Sequence, residues 1–412
     1  MTQHRQCRFC GSPLSLSFAD LGMSPLSNAY LKPGQLSKME PFYPLHAWVC
    51  ESCFLVQLEE FESPEHIFSD YAYFSSFSDS WLDHARRFTD QVTKRFALDA
   101  SSFVVEIASN DGYLLQYFVS RGVPVLGIEP AANVAAEAER KGVPTLVKFF
   151  GTRTALDLKA AGKQVDLLIG NNVLAHVPGL NDFVAGMEIL LKPGGVISME
   201  FPHLLRLMEE NQFDTIYHEH FSYFSFLVAE RVFAKHGLTI FDVEEIPTHG
   251  GSLRIFAKRA SNSALPVGER VSALRRREQA AGLDHADTYR AFAERVKATK
   301  RLLLRFLIDA REAGKHVVGY GAPAKGNTLL NYCGVRTDLL EYTVDRSPHK
   351  QGHFLPGTHI PVYAPEKIRE TRPDYVLILP WNLKNEIAEQ MADVRSWGGK
   401  FVVPIPQVKV LD

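Results

Sequence analysis

The chain has 412 residues, 46% of them hydrophobic and 22% charged, a globular composition with enough length for two or three separately cored domains. Lysine plus arginine (45) nearly balances aspartate plus glutamate (47), which excludes the basic field that nucleic acid or an anionic membrane surface would need. No apolar run approaches the ~18 residues of a membrane span, and Met1 to Gln6 leads into Cys7 without an apolar leader, so the chain reads as soluble, not exported and cytoplasmic.

Four of the five cysteines form two C-x-x-C knuckles, Cys7-Arg-Phe-Cys10 and Cys50-Glu-Ser-Cys53, the second after the strand-like run Tyr43 to Val49. Each knuckle offers two thiolates to one tetrahedral ion, so the pair closes a four-cysteine zinc site with no open position, structural and not catalytic. Residues 11–49 intervene, a longer gap than in compact ribbons, and must loop out and return. The metal gives so small a subdomain the folding free energy its core lacks.

Residues 68–80 are dense in aromatics and hydroxyls, including Tyr71, Tyr73, Ser75, Ser76 and Ser78, and serve equally as core or as a site wall. Trp81, Ala85, Phe88 and Val92 then follow helical spacing. Next, Ser102 to Ala108 reads as a strand, Ser109-Asn-Asp-Gly112 as a tight turn and Tyr113 to Phe118 as a helix start; a second strand, Pro124 to Ile128, ends in Glu129. Such an acid accepts hydrogen bonds from ribose hydroxyls, and the glycine lets backbone approach a cofactor.

The turn carries Gly112 alone and no G-x-G-x-x-G, which disfavours a dinucleotide more than S-adenosylmethionine, whose reactive part has no phosphate. Val165 to Gly170 is a strand entering Asn171-Asn-Val-Leu-Ala-His176, and Leu190-Leu-Lys-Pro-Gly-Gly195 precedes a strand from Val196 to Glu200. That order is the layout of a class I methyltransferase, with Glu106, Ala108, Asn110, Asp111, Gly112, Glu129, Asn171 and Asn172 as the cofactor-binding set.

Tyr217, His218, Glu219, His220 and Tyr223 crowd into seven positions. Adjacent side chains diverge on any regular backbone, and H-E-x-x-H is absent because Ser222 stands where its second histidine belongs, so one ion is not expected to meet all three groups. General acid/base work fits better: neutral His220 takes an acidic proton beside a ketone, Glu219 or Tyr217 orients or donates, and His176 completes the pocket.

A charged, helix-like stretch from Val267 to about Ala313 follows. Lys315 to Asn327 then reads as a strand entering a Gly-rich loop, with an apolar helix from Thr328 to Tyr332 and further strands at Leu340 to Val344 and Tyr375 to Leu379, a second α/β domain. Amides of Gly321 to Gly326 with Lys325 are placed to cradle a diphosphate, extended by Asp345, Arg346, Ser347 and Lys350. Cys333 reads as core.

The knuckles, Tyr73-Phe-Ser-Ser76, Glu106 to Gly112, Asn172 to His176, Tyr217 to His220, His249-Gly-Gly-Ser-Leu-Arg254 and Gly319 to Asn327 together resemble the sugar C-methyltransferases of deoxysugar and surface-polysaccharide pathways, nearly end to end. The resemblance implies a zinc-binding subdomain (1–70), a class I, Rossmann-like methyltransferase domain (71–262) and a C-terminal Rossmann-like α/β domain binding the nucleotide part of the substrate (263–412). It further implies C-methylation of a nucleotide-linked, dTDP-type 4-keto-deoxysugar through a base-generated enolate, with His220 as base. Tyr73, Ser75, His176, Tyr217, Lys325, Asn327, Asp345 and Lys350 would line the substrate site, in a monomer. The alternatives are O-methylation of a nucleotide sugar, an NAD-dependent sugar oxidoreductase and a zinc-ribbon binding module.

Overall fold

The computed structural model describes residues 5–65, 75–77 and 79–411. Strands β1 (Leu16–Ser24), β2 (Tyr43–Val49) and β3 (Val56–Leu58) pair antiparallel next to the cysteine knuckles. β2 shows why: Leu45, Ala47 and Val49 point inward, while Pro44, His46 and Trp48 alternate outward.

The central sheet is built from β4 (Val104–Ile107), β5 (Val125–Ile128), β6 (Thr145–Leu146), β7 (Val165–Asn171) and β8 (Leu191–Pro202), all parallel. β4 and β5 are buried at every position, as expected where both faces of a parallel sheet are covered. The expected Leu-Lys-Pro-Gly-Gly turn lies inside β8: Leu191 pairs with Val165 and Val196 with Leu167, so Lys192 to Gly195 bulge out of register. A two-residue strand, β9 (Ser222–Tyr223), leaves this domain and pairs with β3, while β10 (Leu238–Ile246) and β11 (Ser252–Arg259) extend the central sheet antiparallel beyond β8. The order β10-β11-β8-β7-β4-β5-β6 reverses direction of growth at β4, placing a ligand crevice at the carboxyl ends of β4 and β7. The helix Asp79–Arg95 buries Ala85, Phe88, Thr89 and Val92 along one face.

The charged stretch is three helices and not one, Glu269–Ala280, Ala286–Arg290 and Phe292–Glu312, interrupted after Ala280 where Gly282 takes φ 76. The last buries Phe292, Val296, Thr299, Leu303 and Leu307 at helical spacing, and Phe292 stacks on Phe18 of β1 with ring centroids 4.4 Å apart. It leads into β12 (Val317–Tyr320), β13 (Thr343–Val344), β14 (Val362–Tyr363), β15 (Tyr375–Ile378), β16 (Lys400–Val403) and β17 (Lys409–Leu411), ordered β14-β13-β12-β15-β16-β17 with only β17 antiparallel.

The helix after β12 starts at Ala324 and not at Thr328. Pro323, with its fixed φ, sets the first turn, so Lys325, Gly326 and Asn327 stand on a helix and not in a loop. The architecture is thus α/β: a zinc-binding-type N-terminal subdomain, a class I methyltransferase core and a C-terminal α/β domain. The N-terminal sheet and the C-terminal domain share one hydrophobic cluster, whereas Cys7, Phe9, Cys50 and Cys53 pack into the core of the central domain. Among the described residues no helix is long and apolar enough to cross a membrane.

Candidate active site

The four knuckle sulfurs lie within 4.8 Å of one another, with Cys7 and Cys53 Sγ 3.6 Å apart and Cys10 and Cys50 Sγ 3.4 Å apart; none is in a disulfide. A tetrahedron with ~2.3 Å zinc–sulfur bonds has edges of about 3.8 Å, so the donor set fits zinc. Gln57 Nε2 donates to Cys7 Sγ at 3.2 Å, a bond that orients the ligand. Among the described residues this is the one grouping of three or more histidine, cysteine or acidic side chains able to share an ion. Asn181 Nδ2 donates to the carbonyls of Arg8 (3.1 Å) and Phe9 (2.9 Å), and Arg8 reaches Pro178 O at 3.1 Å, so the knuckle braces the segment just after His176.

At the end of β4 the chain turns through Ala108 (φ 54), Asn110 (φ 50) and Gly112 (φ 73). Left-handed backbone at two non-glycine positions is costly and persists where the surroundings over-determine it. Asn110 Oδ1 accepts from Ser75 N at 2.8 Å, while Asp111 Oδ2 takes Ser76 N at 3.3 Å and Lys141 Nζ at 2.9 Å. These two side chains therefore clip the segment at residues 75 and 76 over the turn. Glu129, at the end of β5, accepts the amides of Asn110 and Ala131, each at 2.9 Å.

Glu106 is buried, and neither carboxylate oxygen is within full hydrogen-bond geometry of a partner among the described residues; burial pushes its pKa well above the usual range, opposed by the nearby Tyr113 hydroxyl. Both polar side-chain atoms of buried Asn171 likewise lack a partner in full hydrogen-bond geometry among the described residues, with the Tyr113 hydroxyl close to both Asn171 and Glu106. An orphaned carboxylate and amide at the carboxyl ends of β4 and β7 fit a ligand bearing cationic and hydroxyl donors, which describes the ammonium, sulfonium and ribose of S-adenosylmethionine.

The run Tyr217 to His220 distributes its side chains over separate tasks. His220 Nδ1 lies 2.9 Å from Thr215 O, which only accepts, so Nδ1 carries the proton and Nε2 holds the lone pair. The His220 ring sits 4.0 Å from that of Tyr217 and 4.7 Å from that of His176. Burial lowers His220 well below its ordinary value, reinforced by His176, and lowers His176 to about 4, so both rings are neutral. Glu219 Oε1 accepts from Asn28 Nδ2 at 2.6 Å, and burial raises it to about 7. His218 donates to Pro44 O at 3.3 Å and packs edge-on against Tyr43.

A second wall comes from residues to which the sequence argument gave no role. His249 takes φ 55 and its Nε2 lies 3.2 Å from Asn172 Nδ2, itself on a residue at φ 52. Burial lowers His249 to about 4. Trp81 meets His249 edge-on at 5.4 Å and stacks on His84, whose Nε2 is 3.0 Å from Glu200 Oε2; Arg254 Nε binds the other oxygen at 2.7 Å. Despite burial, His84 and Arg254 hold Glu200 below its usual value.

From the C-terminal side, Asp345 accepts the amides of Ala322 (2.7 Å) and Ser347 (2.8 Å), Lys350 Nζ donates to Ala322 O at 2.9 Å, and the Tyr30 hydroxyl donates to the same carbonyl. Asn327 Nδ2 donates to Ser27 O at 2.6 Å. Lys325 Nζ instead bonds the Asn382 amide oxygen and lies 4.3 Å from the centre of the Trp381 ring.

Comparison with known proteins decides the class. Family models described as a putative zinc binding domain, a methyltransferase domain and a C-methyltransferase C-terminal domain match residues 7–68, 81–243 and 247–406. Over 409 residues the chain is 36% identical to the C-methyltransferase NovU of Streptomyces niveus, covering 98% of this chain and 96% of that one. The chain belongs to the C-methyltransferase family. A ubiquinone biosynthesis O-methyltransferase of Mesorhizobium japonicum is 26% identical over 26% of this chain and 47% of its own. Among solved structures, magnesium protoporphyrin IX methyltransferase (ChlM) of Synechocystis PCC 6803 with bound SAM aligns at 15% identity over 47% of this chain and 88% of that one, with TM-score 0.33.

The protein is therefore an S-adenosylmethionine-dependent methyltransferase with a structural zinc site at Cys7, Cys10, Cys50 and Cys53. Around the methyltransferase cleft the structure brings together His176, Tyr217, His220, Asn172 and, unforeseen, Trp81 and His249. It bonds Glu219 to Asn28, and it engages Asn327, Asp345 and Lys350 with protein partners. Tyr73 and Tyr71 lie outside the described residues, and Ser75 meets the cofactor turn through its amide. His249 and Arg254 had a signal, the His249-Gly-Gly turn before an antiparallel strand; Trp81 and His84 had none beyond a helical stripe.

Proposed function

We propose that this methyltransferase places a methyl group on the carbon next to the carbonyl of a nucleotide-linked, dTDP-type 4-keto-deoxysugar, after His220 has removed a proton from that carbon. The observation carrying the reading is the fixed tautomer of His220: Nδ1–H is anchored on Thr215 O, leaving one basic lone pair, on Nε2, in a buried site beside His176 and Tyr217. A neutral, desolvated imidazole is ready to accept a proton across the physiological range.

S-adenosylmethionine, when bound, supplies the electrophilic methyl. Glu106, Asn171 and Glu129 would hold it, with the turn from Ala108 to Gly112 shaping the backbone around it. His176 and Tyr217 flank His220 and orient the sugar. Tyr73 and Ser75 belong to the same wall by resemblance to related C-methyltransferases. The C-terminal domain, from about residue 263, would hold the nucleotide half near Asn327, Asp345 and Lys350, where the strand order reverses beside β12.

The test is deuterium exchange by NMR. Incubated in heavy water with dTDP-4-keto-deoxysugars and without S-adenosylmethionine, the protein should wash out the proton alpha to the carbonyl, and His220→Ala should not, while still binding zinc and S-adenosylhomocysteine. Absence of exchange from the unaltered protein with every keto sugar would sink the enolate reading and favour methylation of a hydroxyl.

A further inference from the structure

We infer that Lys325 is a catalytic residue contributed by the C-terminal domain, donating a hydrogen bond to the oxyanion that forms as His220 removes the substrate proton. The inference rests on the enolate reading and reassigns Lys325 from the diphosphate to the reacting carbonyl.

The placement is geometric. Lys325 and Thr328 stand three residues apart in the helix Ala324–Cys333 and so share a face. Thr328 Oγ1 donates to Ile216 O at 3.0 Å, in the very segment whose Thr215 carbonyl anchors His220. A second tie comes from Trp381, whose Nε1 donates to Asp214 Oδ2 at 2.7 Å. Trp381 also lies under the turn at His249: a Cβ on Gly250 would come within 2.7 Å of its ring. Lys325 Nζ sits over that same ring and is held there by Asn382. The cation is thus fixed between the His220 segment and the His249 turn.

Its bonding leaves capacity for a ligand. An ammonium has three N–H donors, and the structure assigns one to Asn382. Asp214, the carboxylate whose charge acts on Lys325, is bonded to Trp381, and no ion pair joins the two among the described residues. Burial dominates the lowering of His220 and His249, and the Lys325 charge adds to both. Burial lowers Lys325 itself to about 8, which leaves it protonated at neutral pH.

The chemistry balances without a further reactant. His220 Nε2 takes the proton alpha to the carbonyl; the C–H electron pair becomes the C=C bond, and the carbonyl π pair moves onto oxygen. Lys325 Nζ–H donates to that oxygen, where charge develops only as the proton leaves, so the interaction is stronger in the transition state than in the ground state. The diphosphate reading is less well supported: in the loop before Lys325, Asp345, Lys350 and Tyr30 already bond the Ala322 amide and carbonyl.

The experiment compares Lys325→Met and Lys325→Arg with the unaltered enzyme in the exchange assay at saturating dTDP-4-keto-deoxysugar, alongside calorimetry with dTDP alone and with S-adenosylhomocysteine. Lys325→Met should slow exchange about 10²-fold, the scale of losing one oxyanion donor, with the Kd for dTDP unchanged within about twofold, and Lys325→Arg should recover part of the rate because it keeps a cationic donor. Exchange at the unaltered rate in Lys325→Met would overturn the proposal, as would a tenfold or larger rise in the dTDP Kd with normal saturated exchange, which would return Lys325 to the diphosphate. Absence of exchange in the unaltered enzyme removes the enolate reading and this proposal together, an outcome distinct from exchange that is merely indifferent to Lys325. Should Lys325→Met lose S-adenosylhomocysteine binding through misfolding, Lys325→Gln, able to bond Asn382 without the charge, provides the same comparison.

Discussion

The turn after β4 and the loop after β12 are built alike, each a parallel strand running into a glycine-containing reversal and a helix, each at the point where its sheet changes direction. Their polar groups have opposite fates. The first keeps Glu106 and Asn171 buried without partners among the described residues, and it adopts left-handed backbone at Ala108 and Asn110. The second is held by protein along its backbone: Ala322 is bonded at both its amide and its carbonyl, Gly321 is a glycine because a Cβ there would stand 2.5 Å from Pro380, and a single side-chain oxygen on the following helix, Asn327 Oδ1, stays buried without a partner among the described residues. Similar local motifs thus separate into a binding turn and a docking loop, and the distinguishing sign is where unsatisfied buried groups remain.

The largest effect that separates the two comes from the metal. Cys10→Ser should abolish zinc uptake and remove stabilisation on the scale of the ~10 kcal/mol that structural zinc supplies in small peptides. Hydrogen exchange should then rise in residues 5–58 and at 176–181, which the knuckle braces, and stay low around β12. Uniform loosening of both units, or a variant that remains zinc-loaded and equally heat-stable, would break the distinction.

Substitution of the glycines comes next. Gly321→Ala combines φ 88 with a 2.5 Å contact, so left-handed strain and overpacking together should cost about 3 kcal/mol in thermal or denaturant unfolding. Affinity for S-adenosylhomocysteine should hold. Gly112→Ala, at φ 73 and 3.0 Å from Val143, should cost about 1–2 kcal/mol of stability and weaken that affinity as well. A loss of cofactor affinity in the first variant but not the second would reverse the assignment.

Glu106→Gln sharpens the contrast with opposite signs. Removing an uncompensated buried carboxylate should stabilise the ligand-free protein, while losing charged hydrogen bonds worth about 1.5–3 kcal/mol should weaken S-adenosylhomocysteine ten- to a hundredfold by calorimetry. Unchanged affinity would argue that the orphaned carboxylate is not a cofactor ligand.

A further effect is pH-dependent. His176 and His249 each fall from 6.5 to about 4 through burial. The native state then binds fewer protons than the unfolded chain between these values, so this stabilisation is complete above pH 6.5 and lost as pH falls toward 4, on the order of 3 kcal/mol per histidine. Burial raises Asp214 to about 6 and Glu219 to about 7, so their contributions run oppositely, present at low pH and lost as pH rises through those values. His176→Asn should therefore flatten the acid limb of a pH–stability curve; an unaltered limb would show that His176 is not held neutral in the fold.

Much of this was written locally. Alternation in β2, the helical stripe through Ala85, Phe88 and Val92, and the C-x-x-C spacing each follow from a few neighbouring residues, because side-chain periodicity and thiolate geometry are short-range properties. The strands and turns at β4 and β12 were legible for the same reason, whereas the helix after β12 begins at Ala324, four residues before the expected Thr328. Tertiary contacts decided the rest. Glu219 stands next to His220 in sequence, but the bond it makes is to Asn28, 191 positions away. Asp345 and Lys350 are set by bonds to the backbone of Ala322, 23 and 28 positions away. Trp381 reaches Asp214 across 167 positions and so brings Lys325 toward the base. Sequence by itself determined which chemical groups the chain carries and which elements present them. Only packing determined which buried groups stayed unsatisfied, because that balance is struck between residues far apart along the chain.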